Sequence, residues 1–150
     1  MRVFDGIADF EKAVGEHLGY SDWYTVTQEK VNLFAEATGD HQWIHVDPER
    51  AAQGPFGGTI AHGFLTLSLL PVLSQQVYRV DGLKMGINYG QDKVRFPSSV
   101  PVGARLRAGV ELLAVERNAT GARVRTRVTV QVEDAPKPAC VAEHISVMVD

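Results

Sequence analysis

The chain has 150 residues, 45% of them hydrophobic, which is enough for one compact domain with a core and too short for two ordinary ones. Its formal charge of -3 excludes the overall basic field that draws proteins onto nucleic acid or an anionic membrane. The single cysteine, Cys140, excludes an internal disulfide. No apolar run approaches the roughly 18 residues of a membrane span and no signal-peptide core follows Met1, so a soluble, cytoplasmic protein is expected.

In chain order, Ile7, Phe10, Val14 and Leu18 fall at helical spacing before Gly19, which predicts an amphipathic helix over 7–18. A short strand is expected around Trp23–Val26. Thr27 then N-caps a second helix whose Val31, Phe34, Ala35 and Thr38 share a face, with Gly39 as its C' stop. Asp47-Pro48-Glu49-Arg50 reads as a new cap, with proline in the first turn of a brief helix to about Ala52. The segment from Gly63 to Leu73 is apolar nearly all round and can continue to Tyr78. It predicts a buried helix roughly 24 Å long, bent at Pro71.

Beyond it the period changes to two, and strands are expected at 85–89, 93–96, 104–116, 122–133 and 139–149. In the clearest, Val124, Thr126, Val128, Val130 and Val132 alternate with Arg123, Arg125, Arg127, Thr129 and Gln131. Antiparallel strands after one wholly apolar helix suggest an α+β domain over 1–150, a curved sheet wrapped around that helix. The exposed edges of such a sheet suggest pairing into at least a homodimer.

The densest polar cluster is Gly39-Asp40-His41-Gln42-Trp43-Ile44-His45-Val46-Asp47-Pro48. Asp40 and His45, five residues apart, fall about 140° apart on a helix and on opposite faces of a strand. Only an irregular turn between Gly39 and Pro48 makes them converge, where a carboxylate and an imidazole can hold one water between them. Ala61-His62-Gly63, at the start of the apolar helix, offers unpaired backbone N–H groups, and Gly63 has no side chain to block approach.

These residues carry a resemblance. Gly39-Asp40-His41-Gln42-Trp43-Ile44-His45, Ala51 and Ala61-His62-Gly63-Phe64 resemble the hydratase motif of the MaoC-like, (R)-specific enoyl-CoA hydratases, including the NodN-like members. Val94-Arg95-Phe96-Pro97 and Val100-Pro101-Val102-Gly103 are similar to that family's strand and crossing. The resemblance runs from about Trp23 to the C-terminus and implies a single hot-dog domain. It implies an acyl-CoA substrate and hydration of trans-2-enoyl-CoA to (R)-3-hydroxyacyl-CoA, with dehydration as the reverse. Asp40 and His45 would be the catalytic dyad, and the Gly63 N–H the donor to the thioester oxygen. No metal or redox cofactor is implied, coenzyme A being part of the substrate. Many members have Asn-Pro where this chain has Gln42-Trp43, and Pro71 stands where some have a serine. The alternatives are a dehydratase acting on acyl-carrier-protein thioesters, a thioesterase, or a thioester-binding subunit without turnover.

Other polar residues have plainer readings. His41 and His45 mimic a metal pair, but Gly39 and Pro48 interrupt the continuous helix such a pair needs. His62 fits loop support as well as substrate binding. Asn88 and Tyr89 fit the wall of an acyl or pantetheine tunnel or an ordinary strand end. Lys93 and Arg95, with Arg105 and Arg107, fit phosphate contacts or a wet strand face. Cys140 reads as a core thiol.

Overall fold

The computed structural model describes residues 1–150. In chain order its elements are β1 (Arg2–Phe4), α1 (Gly6–Glu11), β2 (His17–Tyr20), β3 (Tyr24–Thr25), α2 (Gln28–Thr38), α3 (Trp43–Val46), α4 (Pro48–Ala52), α5 (Gly63–Ser68), α6 (Leu70–Val77), β4 (Tyr78–Val80), β5 (Met85–Arg95), β6 (Arg105–Asn118), β7 (Gly121–Val132) and β8 (Cys140–Val149). The main sheet is antiparallel in the order β2-β6-β7-β8-β5, with β3 also paired to β6. β1 and β4 form a separate parallel pair.

The period-two reading accounts for the sheet. Ala122, Val124, Thr126, Val128 and Val130 are buried on one face of β7 and join Leu106, Ala108, Val110 and Leu112 of β6 in one core. α6 packs on β2 and β6, and α5 on β8, so Leu70, Leu73 and Val77 close that core from the concave side. On the wet face, Arg125 bonds Asp92 and Glu143, and Arg127 bonds Glu111 and Glu143. The Arg125–Asp92 pair is exposed and orders the surface more than it stabilises it, while Glu143 is half-buried between the two arginines.

Three expectations are corrected. The helix over 7–18 ends at Glu11, and Leu18 belongs to β2. Both conformations bury Leu18, so helical spacing alone could not decide, and pairing with β6 wins. The apolar helix is two helices broken at Leu69, two residues before the expected bend, because Pro71 sits in the first turn of α6, and Tyr78 already begins β4. Nor is it wholly buried: Phe64 is 69% exposed and Val72 44%. The strands expected at 85–89 and 93–96 are one strand, β5, with register shifts between Asn88 and Gly90 and between Asp92 and Arg95. Bulges carry the chain through polar residues that read as a gap. No helix is long and apolar enough to cross a membrane.

Candidate active site

The convergence of Asp40 and His45 is built by a stop, a turn and a restart. Gly39 ends α2 at φ 81, where a β-carbon is disfavoured, and its N–H bonds the Ala35 carbonyl at 2.8 Å. The Asp40 carboxylate accepts the Gln42 N–H at 3.3 Å. The next residues are not wholly irregular, as expected from sequence, but make one helical turn, α3, with the His45 N–H on the Gln42 carbonyl at 2.9 Å. Asp47 then accepts the Arg50 N–H at 3.1 Å and starts α4 as expected.

Two bonds from distant segments fix this turn. The Gln28 side-chain amide donates to the His45 carbonyl at 2.8 Å, and the Thr59 hydroxyl donates to Gln28 Oε1 at 2.7 Å. The Ile60 N–H meets the Ile44 carbonyl at 3.0 Å.

His45 is 7% exposed, and its Nδ1 lies 2.7 Å from the Ile60 carbonyl oxygen. A carbonyl only accepts, so Nδ1 carries the proton and Nε2 keeps a lone pair. Burial lowers the His45 pKa from its usual value; the bond to Ile60 raises it, His62 lowers it, and Asp40 raises it. One Asp40 carboxylate oxygen, one His45 nitrogen and one His62 nitrogen lie within 4.8 Å of one another. Asp40 is exposed, while both imidazoles are buried.

Two histidines and an aspartate are also a metal-ligand set. Here, however, the His45 and His62 rings stack at 3.9 Å with only 25° between their planes. One nitrogen of each ring is engaged with a backbone carbonyl. Nearly parallel rings do not aim two in-plane lone pairs at a common point.

Gly63 is the first residue of α5, and neither its N–H nor that of Phe64 is engaged by another group of the chain. Both face the positive end of a short helix. A cavity of about 380 Å³ opens here, lined by His45, Gly63, Thr66, Phe56, Phe96 and Val100 among others. His45 and the helix start thus share one space.

Asp40 does not line this cavity itself and is tied to it through its closeness to His45, and the remaining expected site residues do not join it within one copy of the chain. Asn88 lines a different cavity, of about 350 Å³, between α6 and β5. Tyr89 faces the wet side of the sheet, with Arg123 4.6 Å from its ring. Lys93 is near Glu143 at 3.6 Å, and Arg95 bonds the Val94 carbonyl. His62, 2% exposed, lies behind His45 and outside the cavity lining. Sequence reading missed Gln28, Thr59 and Thr66. A glutamine in a first helical turn carries no signal of its own; Phe96 did stand in the quoted Val94-Arg95-Phe96-Pro97 motif.

Residues 9–134 match the MaoC like domain family. The chain is 62% identical over 146 residues to the 3-hydroxyacyl-thioester dehydratase Z of Mycobacterium tuberculosis, covering 97% of each chain. It is 46% identical to the nodulation protein N of Rhizobium leguminosarum bv. viciae, covering 95% of this chain and 90% of the relative. In structure it resembles the R-hydratase PhaJ1 of Pseudomonas aeruginosa, with TM-score 0.74, 27% identity and coverage of 95% and 88%. A sheet wrapped around α5–α6, the extent of the family match and two well-covered relatives agree, and the chain belongs to the MaoC-like dehydratase family, with the hot-dog fold.

Proposed function

We propose that the protein adds water to trans-2-enoyl-CoA thioesters to give (R)-3-hydroxyacyl-CoA, and removes it in reverse. The observation that carries this reading is the convergence of three groups: an Asp40 carboxylate oxygen and a His45 nitrogen lie within 4.8 Å of each other, and His45 shares its cavity with the helix start at Gly63.

Hydration needs a proton taken from water as oxygen attacks C3, a proton delivered to C2, and charge accommodated on the thioester oxygen. His45 is held with Nδ1–H on the Ile60 carbonyl, so Nε2 is the base that takes the proton from water, and the Nε2–H so formed returns that proton to C2. The Asp40 carboxylate lies on the other side of the water and orients it. Paired acid–base groups contribute about 10²- to 10⁴-fold. The Gly63 N–H, at the positive end of α5, holds the thioester oxygen; losing such a donor typically costs about 10²- to 10³-fold. The scheme needs no metal or redox cofactor.

The names of the relatives support a thioester and the (R) configuration: one is called a 3-hydroxyacyl-thioester dehydratase, another an R-hydratase. The first name leaves the carrier open, so the second reading is dehydration on acyl carrier protein. Lys93 and Arg95, both exposed, suit contacts to coenzyme A phosphates. A homodimer formed through β5 would bring Asn88 and Tyr89 toward a neighbouring site. The free edge of β5, with Met85, Ile87 and Tyr89 exposed, and the bare Phe64 of α5 support it. A reducing cytoplasm suits the lone Cys140.

The test is loss of enoyl-thioester absorbance with crotonyl-CoA and longer chains, followed by chiral analysis and repeated with carrier-protein thioesters. An (R)-3-hydroxyacyl product, with turnover reduced at least about 10²-fold in both Asp40→Asn and His45→Gln, is expected. Near-normal rates in either variant would sink the mechanism.

A further inference from the structure

His62 is the one buried titratable group at the site to which the proposed chemistry gives no task. Its ring is held between Phe34, with centroids 4.9 Å apart, and His45, at 3.9 Å. Its Nε2 lies 3.0 Å from the Asp40 carbonyl oxygen. Because that oxygen only accepts, Nε2 must carry the hydrogen and donate it. In the neutral ring Nδ1 is then the bare nitrogen, and it is buried with no partner. Leaving a buried acceptor unpaired costs free energy, and a phenylalanine or leucine would fill the same space without that cost. A retained, half-satisfied imidazole therefore does something its volume alone does not.

The two dyad residues reach the site from opposite ends of a short turn. Gln28, Thr59 and Ile60 fix the His45 end. At the Asp40 end, the backbone N–H has a 3.4 Å contact to the Thr38 hydroxyl, itself exposed, and the carboxylate is exposed. The bond from His62 is the one tie on that residue that comes from a buried side chain.

We propose that His62 is a positioning residue for the dyad: its Nε2–H fixes the Asp40 carbonyl while its ring is the floor on which the His45 ring lies. It touches neither substrate nor reacting atoms. His62 is also the N-cap of α5, its carbonyl accepting the N–H groups of Leu65 and Thr66. One dipeptide, His62-Gly63, therefore sets the acid–base pair and the thioester-oxygen donor relative to each other. This inference rests on the hydration reading above.

The test compares His62→Gln, His62→Asn and His62→Ala in the full chain. The glutamine amide nitrogen reaches the position of Nε2 and can donate to the Asp40 carbonyl; the asparagine amide falls one bond short. Ala and Asn should lower kcat by about 10- to 10²-fold with KM changed little, as expected for misplaced groups, and Gln should recover most of the loss. Thermal unfolding identifies any variant that fails to fold, in which case the Gln and Asn pair carries the comparison. Equal losses in Gln and Asn, unchanged kcat in Asn and Ala, or a loss confined to KM would each overturn the proposal. Imidazole nitrogen shifts of the wild type add a readout that needs no substrate: His62 must be the Nε2–H tautomer, and a proton on Nδ1 would overturn the proposal. Wild-type turnover abolished by Asp40→Asn but indifferent to His62 would reject this inference alone. An inactive wild type with the expected tautomer would reject the hydration reading instead.

Discussion

Phe96 lies with its ring face over Gly63, so that a β-carbon added to the glycine would come within 3.3 Å of three ring carbons. A neighbour at that distance must give by a few tenths of an ångström, and Phe96, 42% exposed, has room to do so. Gly63→Ala should therefore fold, but its methyl and the displaced ring would fill the approach to the Gly63 N–H. We expect a loss in kcat/KM of about 10-fold or more. Phe96→Ala in the same chain should return part of it, giving a non-additive double-mutant cycle. Strict additivity would mean that the ring does not control access to the helix start.

In the proposed mechanism the burial of His45 sets the acid side of the rate profile. As the base, it must be uncharged at Nε2. Burial, with a smaller contribution from His62, holds its pKa below the usual imidazole value against the opposing effects of Ile60 and Asp40. The neutral form thus persists as pH falls through about 6.5, and kcat/KM should stay level there, declining only further down. The same depressed pKa makes a stability contribution that is present above the unfolded-state value and lost as pH falls below it. An acid limb at or above the ordinary imidazole value would contradict this placement of the base.

Gln28 joins three segments through its side chain, bonding the His45 carbonyl, Asn32 and the Thr59 hydroxyl. Gln28→Leu leaves the Thr59 hydroxyl, in a residue only 8% exposed, without its acceptor. A cost of about 1–3 kcal/mol in chemical denaturation is expected. Thr59→Val in the Gln28→Leu background should cost little more, because both remove the same bond.

Cys140 is fully buried in β8, and burial pushes its thiol pKa up to about 11. A thiol-reactive dye at pH 8 should leave the folded protein unmodified and label it once denaturant unfolds it. Cys140→Ser should preserve turnover and cost about 1–3 kcal/mol by burying a hydroxyl among apolar side chains. Rapid labelling of the native protein would overturn this reading.

The free edge of β5 carries Ile87 at 45% exposure, paired on its other side to Val147 of β8. If two copies meet there, Ile87→Lys places a charge in the contact, and light scattering should show a shift from dimer to monomer. A wild-type monomer at all concentrations would reject the assembly.

The features legible in the sequence were those that a single period or cap specifies. The alternation in β7, the Thr27 cap, the Gly39 stop and the Asp47-Pro48 restart all appear as read. The Gly39 stop and the Pro48 restart alone confined Asp40 and His45 to a turn. What was not legible depends on partners far along the chain. Leu18 is apolar in either conformation, and only β6 makes it a strand residue. Phe64 continues the apolar run of α5 yet is 69% exposed, because no other element packs over it, which no local pattern contains. His62 could not be separated from a substrate contact until its ring was seen stacked under His45 and bonded to a carbonyl 22 positions away.

The two register shifts in β5 also bear on how this chain behaves when crowded. They leave Met85–Asn88 as the only uninterrupted stretch at the start of the strand, followed by Lys93 in a left-handed conformation at φ 53. Four residues of regular edge span only about 14 Å. Fibril growth by strand addition needs a longer, flatter row of free amides and carbonyls, repeated on every new edge. The opposite flank is no better a template, since β2 is itself shifted between His17 and Gly19. Contact along these edges is therefore short-ranged and self-limiting, and concentrated solutions should reach small assemblies rather than nucleate amyloid.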